Sequence, residues 1–256
     1  MNLQNTLIGF GGIQPPGGLV QFAPNTTRYR PGIIVPFVDD RWGGGELIFA
    51  RAGNNITPFC VCPMGAQLLQ ATNALGQSFA QWEVDTGLTI ATPNLGNNVC
   101  VGLNTVPANT SFDWFIYSMT GGPIKTAAAV TANANAYTTS TAGVISSTQA
   151  NGQQILNMRF MTTGSGTTTR ACSGSPGSNR LRINGSSWGA LHLALTATAS
   201  GIPASTTITG FESDGRGIIL SANLTAAVNG NVTFGPGTFT YPLAIWQRPS
   251  LQGITT

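Results

Sequence analysis

Short runs in which apolar and polar side chains alternate, or apolar residues run on unbroken, recur along the whole chain. They include GELIFARA (45–52), PFCVCPM (58–64), QWEVDTG (81–87), NVCVGLNTV (98–106), DWFIYSM (113–119) and QILNMRFMTT (154–163). Later examples are ALHLALTA (190–197), TTITGFES (206–213), GIILSANL (217–224), NVTFG (231–235) and TYPLAIW (240–246). Each has the length of a strand, and several alternate apolar and polar side chains as half-buried strands do. Turn residues separate them at spacings of roughly 8–15 residues, the rhythm of antiparallel sheets and barrels. No long window free of Gly and Pro carries an i, i+3, i+4, i+7 apolar stripe, so helices are not expected. Ala127–Ala136 suits either a short helix or an irregular loop. The pattern predicts an all-β fold, barrel-like or sandwich-like.

The texture of the chain divides it into four parts. Residues 1–40 alternate little and hold Pro15, Pro16, Pro24, Pro31 and Pro36; proline removes backbone donors and favours extended chain, so this part reads as an arm. Residues 41–162 form a strand-rich block. Residues 163–185, beginning TGSGTTTRACSGSPGSNR, are rich in Gly, Ser and Thr and read as a linker. Residues 186–256 form a smaller C-terminal β domain whose tail, QRPSLQGITT, needs something to hold it. The arm is apolar as well as extended, with Leu7, Ile8, Phe10, Ile13, Leu19, Val20 and Phe22. Side chains of this kind gain about 1.5–3 kcal/mol each on burial. They pack either on the chain's own domains or on a neighbouring subunit, as an added strand would.

Charge changes the picture most. Of 256 residues only 11 are basic and 8 acidic, 7% in all, against about 25% in an average soluble domain. So weakly charged a surface repels its copies little and suits a protein packed against copies of itself or a partner. The hydrophobic content of 41% with a net charge of +3 excludes a disordered chain. Nucleic acid is not an expected partner, because cations cluster only between Arg170 and Arg182, where a solvated loop accounts for them. A membrane partner is not expected either, since no apolar run reaches the length of a transmembrane helix. The N-terminal residues show no basic region followed by an apolar core, so synthesis in a cytoplasm is expected. The cysteines there (Cys60, Cys62, Cys100, Cys172) are expected to be reduced and buried.

Candidate chemistry is sparse. His192, the single histidine, lies among leucines and as part of a strand would share a face with Ala190 and Ala194. It has no Ser or Cys motif to serve. Cys60 and Cys62 share a strand face, but a C-x-C pair without a second pair makes a poor zinc site. Glu83 and Asp85 have the spacing for one strand face, as a glycosidase pair would; charges that guard a strand edge explain them as well. Gly43-Gly44-Gly45 leads into a strand, not a helix N-terminus, so it lacks the geometry of a phosphate loop. Trp82, Trp114, Phe115, Tyr117 and Trp246 fall within predicted strands and read as core. No catalytic, cofactor-binding or metal-ligating set emerges.

Two stretches resemble the head decoration, or capsid cement, proteins of tailed bacteriophages. One is WGGGELIFARAGNNITPFCVC (42–62), a glycine-rich turn, a glutamate, an apolar strand and a second strand. The other, residues 97–160, joins Val101-Gly102, Val106-Pro107-Ala108, Trp114-Phe115, Gly121-Gly122-Pro123, an Ala-rich middle and Tyr137–Val144. Residues 200–234 are similar to a short β module of phage structural proteins. The arm before residue 41 exceeds the family's usual lead-in. The resemblance implies a non-enzymatic virion protein without cofactor, made in the host cytoplasm. It implies attachment to the outer surface of the capsid, with the major capsid protein and two further copies in a homotrimer as partners. On that reading the arm, with Leu7, Phe10, Ile13, Phe22, Arg28, Tyr29 and Arg30, reaches the capsid protein or the next subunit. A tail-fibre, knob or receptor-binding protein is the alternative, and a carbohydrate-binding module a further one.

Overall fold

Most of the alternating and apolar runs become strands in a computed structural model of the chain, and no helix occurs among the described residues. Those are residues 7–8, 32–39, 42–72, 78–84, 96–107, 112–149, 154–164, 166–185, 191–212 and 214–252. The strands are β1 (Leu7–Ile8), β2 (Ile34–Asp39), β3 (Gly43–Ala52), β4 (Val61–Thr72), β5 (Ser78–Val84) and β6 (Val99–Gly102). Next come β7 (Phe112–Pro123), β8 (Asn135–Thr138), β9 (Ile145–Ser146), β10 (Gln154–Phe160), β11 (Thr168–Gly174) and β12 (Arg180–Ile183). The last are β13 (Thr196–Thr198), β14 (Ile208–Phe211), β15 (Gly217–Leu220), β16 (Val228–Gly235) and β17 (Leu243–Leu251). The chain is all-β.

Two units share these strands. The larger takes Thr6–Gly164 together with Tyr241–Thr256, and the smaller is the insertion Ser165–Thr240. Among the described residues the larger unit holds eleven strands in the order β1-β2-β3-β5-β4-β6-β7-β17-β10-β8-β9. Since β3 also pairs with β7, the stretch β3-β5-β4-β6-β7 closes on itself as a five-stranded barrel. Four of its five contacts are antiparallel; β3 and β5 run parallel at Arg51↔Glu83 and Ala52↔Val84. The register puts Ile48 opposite Phe115, Cys62 opposite Cys100 and Met64 opposite Val84. These residues, with Ala50, Ala52, Ile56, Cys60, Val106 and Tyr117, form one apolar core. The alternate positions Leu47, Phe49, Val61, Val101, Trp114 and Ile116 are buried too. Both faces of the wall are therefore covered, and that is why the sequence of β3 runs Leu-Ile-Phe-Ala without a polar break.

Close approach of neighbouring chain explains three glycines of this unit, Gly45, Gly102 and Gly122. A Cβ on Gly45 would collide with the carbonyl of Ser118 on β7, so the Gly43-Gly44-Gly45 run serves strand contact. A Cβ on Gly122 would lie 2.9 Å from the ring of Trp246, the largest fully buried side chain. A Cβ on Gly102 would lie 2.7 Å from both the Thr57 carbonyl oxygen and Ile56 Cγ2.

The inserted unit is a six-stranded sheet in the order β13-β16-β11-β12-β15-β14. Its two ends meet: Ala194 N–H donates to the Ile208 carbonyl (2.9 Å), Ile208 N–H to Leu195 (2.9 Å) and Ala197 N–H to Thr206 (2.8 Å). This sheet also closes, leaving no free edge along those residues. Cys172, Leu181, Ile183, Ile208, Phe211, Ile218, Leu220, Val232 and Phe234 fill it. Between the inward Leu181 and Ile183, Arg180 and Arg182 face outward and pair with Glu212 and Asp214.

Several boundaries differ from the sequence reading. Residues 163–185, expected as a linker, contain β11 and β12, because β-branched Thr and small Ser, Ala and Cys fit a ladder as well as a loop. The insertion thus begins at Ser165, well before residue 186. The arm ends earlier than residue 40: β2 pairs with β3 from Ile34↔Ile48 to Asp39↔Gly43 and buries Val35 and Phe37. The C-terminal tail does not belong with the smaller domain. Strand β17 runs to Leu251 in the larger unit, held by β10 on one side and β7 on the other. Of the stretch Ala127–Ala136, residues 127–134 are irregular chain and the last two open β8.

Gly102→Ala should destabilise the larger unit by about 1–3 kcal/mol, the usual cost of overpacking. Urea denaturation followed by tryptophan fluorescence reads this as a lower midpoint; an unchanged midpoint would mean that β6 can move away from Thr57.

Candidate interaction surfaces

Polar groups inside the fold are placed for packing. His192 is buried, and its Nδ1 lies 2.7 Å from the Leu193 carbonyl oxygen. Residues 191–195 are not a strand, contrary to the alternating reading of 190–197. Ala194 takes a left-handed φ of 67°, and the turn buries Leu191, His192, Leu193 and Leu195 together. Cys60, Cys62, Cys100 and Cys172 are all buried free thiols. Cys60 and Cys62 bring their sulfurs to 3.3 Å. The hydrogen bond with Cys62 holds the Cys60 thiol below its ordinary pKa against the opposing effect of burial, while burial pushes Cys100 well up. Among the described residues no group of three or more His, Cys, Asp or Glu side chains is arranged to hold a metal ion. Glu83 lies on β5, its side chain outside the described residues together with Asp85. The arginines at 180 and 182 are matched by carboxylates and leave no cationic patch of their own.

The surface carries more information. Among the described residues the exposed large apolar side chains are Ile34, Val38, Leu156 and Met161. Isolated exposed apolar residues are ordinary. Ile34 and Val38 are not isolated: with the exposed Pro36 between them they occupy i, i+2 and i+4 of β2, one continuous stripe on one face. Val38 is 52% exposed. The stripe lies beside the outermost described strand, β1, which meets β2 at Leu7↔Val38 and Ile8↔Phe37.

Next to the stripe stands a polar clamp. Glu46, opposite Pro36 in the ladder, accepts hydrogen bonds from Arg248 Nε (2.9 Å) and Nη2 (2.7 Å) and from the Ser118 hydroxyl (3.3 Å). The hydrogen bond and charge of Arg248 hold the Glu46 carboxyl below its usual pKa. The same guanidinium lies 5.9 Å from the centre of the Tyr117 ring. Glu46 on β3, Ser118 on β7 and Arg248 on β17 thus bind three strands across the face bordering the stripe.

Leu7 of the predicted contact set lies in β1, with its side chain outside the described residues; Phe10, Ile13, Phe22, Arg28, Tyr29 and Arg30 lie outside them altogether. Sequence reasoning missed Ile34 and Val38. The run Ile-Ile-Val-Pro-Phe-Val (33–38) carried the signal, since a half-buried strand would place polar residues at alternate positions.

One buried acid stands apart. Asp113, at the start of β7, has its pKa raised from 3.8 to about 7 by burial, against the pull of hydrogen bonds from Trp114 N–H (2.7 Å) and Asn104 Nδ2 (3.4 Å). A raised carboxyl pKa means the folded chain keeps a proton that the unfolded chain releases. This contribution to stability is complete below about pH 4 and is lost as pH rises to about 7, an effect on the order of 4 kcal/mol. Asp113→Asn should therefore be more stable than the parent at pH 8 and gain nothing at pH 4. Urea midpoints at the two pH values check this; an equal difference at both would contradict it.

Comparison of the chain with known protein families, with curated proteins and with solved structures finds no match.

Proposed function

We propose that this chain is a non-enzymatic structural protein of a virion, which attaches to the outside of a phage capsid and stabilises it, as a homotrimer. The observation that carries the reading is the stripe Ile34–Pro36–Val38, open on a folded strand directly after the apolar arm. Contiguous exposed apolar surface marks a place where another molecule sits. Only 19 of 256 side chains carry charge, so little electrostatic repulsion opposes close packing of many copies. Resemblance of residues 42–162 to the cement family adds a partner of the right kind, the major capsid protein.

Such a protein works through area. A capsid under outward pressure is held by contacts that exist only once its subunits are assembled, and a contact of about 1,200–2,000 Å² is sufficient for specific association. The arm and the β2 stripe together form the contact surface. Glu46, Ser118 and Arg248 keep the strands beneath it in place, so the apolar face meets its partner already ordered, which lowers the entropic cost of binding.

Binding to emptied heads of the parent phage tests the reading. Full-length protein should sediment with the heads. Ile34→Asp combined with Val38→Asp should weaken sedimentation at least about 100-fold, because two apolar contacts of about 1.5–3 kcal/mol are lost and two charges are buried. A chain lacking residues 1–31, which retains β2, should sediment no better than the charged variant. Wild-type occupancy by either altered protein, with folding verified by circular dichroism, would overturn the assignment of this surface. Failure of the full-length chain to bind heads at all would overturn the function.

A further inference from the structure

A second feature of the larger unit lies on other strands than the β2 stripe. Strands β8, β10 and β17 are adjacent in the sheet, and all three lose register at one level. Along β10 and β17 the pairs run Ile155↔Leu251 and Leu156↔Ser250, then jump to Met158↔Trp246. One residue of β10, Asn157, thus faces Gln247, Arg248 and Pro249. On the other side the pairing of β10 with β8 jumps from Ile155↔Ala136 to Arg159↔Asn135. Asn157 and Arg248 both take left-handed backbone, at φ 60° and 42°. Bulges and left-handed residues re-aim side chains and concentrate at functional sites.

The doubled bulge opens a concavity of about 340 Å³. Asn135, Gln154, Asn157, Gln247 and Arg159 line it, together with the buried Met158 and Trp246. Arg159 Nε donates to the Asn133 carbonyl (3.0 Å), which fixes the guanidinium at the rim. Among the described residues Arg159 has no carboxylate partner, and no carboxylate lines the concavity. In a chain with so few charges, four carboxamides around one unmatched cation form a distinctive chemical surface.

From this arrangement we infer that the β8–β10–β17 concavity is a binding site for an acidic saccharide, a sugar unit carrying a carboxylate. A carboxamide offers a donor and an acceptor side by side, the pattern that neighbouring sugar hydroxyls complement. A guanidinium binds carboxylate through two parallel N–H···O bonds. The volume lies at the low end of the range for ligand sites and suits one sugar ring with its substituents. Four amides and an arginine among the eight lining residues offer partners to sugar hydroxyls, and the apolar part of the lining suits the face of a sugar ring. The inference does not rest on the capsid reading: a chain that fails to bind heads can still bind saccharide here.

Ligand-observed NMR on the full-length protein tests it, with methyl β-D-glucuronide as probe and methyl β-D-glucoside and inorganic phosphate as controls. The glucuronide should bind with a Kd of about 0.1–10 mM, the range for a monosaccharide in an open site, and at least about tenfold tighter than either control. Arg159→Gln should weaken the glucuronide by about tenfold or more and leave the glucoside unchanged. Asn157→Gly keeps left-handed backbone available and removes the carboxamide, and should weaken both sugars. Thermal melts confirm that each variant is folded. The inference is overturned if no glucuronide binding is detected at 50 mM (about five times the weakest expected Kd), if phosphate binds as well as the glucuronide, or if folded Arg159→Gln binds the glucuronide like the parent.

Discussion

The antiparallel contact between β3 and β7 is the interaction on which the larger unit rests. It runs from Gly45↔Met119 to Arg51↔Phe112 and turns a row of five strands into a closed barrel. Closure removes the free edges that would otherwise template further pairing, and it buries β3 on both faces. The contact depends on Gly45, since any larger residue would strike the Ser118 carbonyl. From these two strands the rest extends in both directions: β2 and β1 along the free length of β3, and β17, β10, β8 and β9 along the free length of β7. The surface stripe on β2 and the concavity at β10 both lie on these extensions, outside the closed core.

The C-terminal strand joins the two ends of the chain's history. After the inserted unit, β17 returns to pair with β7 and β10, and Arg248 reaches Glu46 across a separation of 202 residues. The inserted unit stands in the chain between β10 and β17, and the register of their pairing seats the returning strand. The bulges at Asn157 and at Gln247–Pro249 are part of that register, so the concavity follows from the way β17 is seated.

Much of the fold was legible in the sequence, and the failures have physical causes. GELIFARA and DWFIYSM became β3 and β7 because β-branched and aromatic runs of that length fit a doubly covered wall. Strand β2 was hidden by Pro31, Pro36 and an apolar run without alternation, which read as extended arm; only its pairing with β3 shows that Val35 and Phe37 are core. Strands β11 and β12 were hidden by Gly, Ser and Thr, whose local preference for turns is outweighed by ladders to β16 and β15. ALHLALTA alternates like a strand, yet left-handed Ala194 turns it and buries His192 with the leucines. The concavity was invisible because it joins Asn135, Gln154–Arg159 and Ile245–Gln247, segments brought together only by register shifts.

What unifies the reading is surface left apolar on a chain with almost no charge to keep its copies apart. That surface asks for a covering molecule, and in the proposed reading the cover is the capsid protein or another copy of the chain in the trimer. Sedimentation equilibrium of the purified full-length chain over micromolar concentrations tests this most directly. A mass of about three times the 26.5 kDa of one chain is the result the trimer requires. A single species at the mass of one chain across the whole range would contradict it.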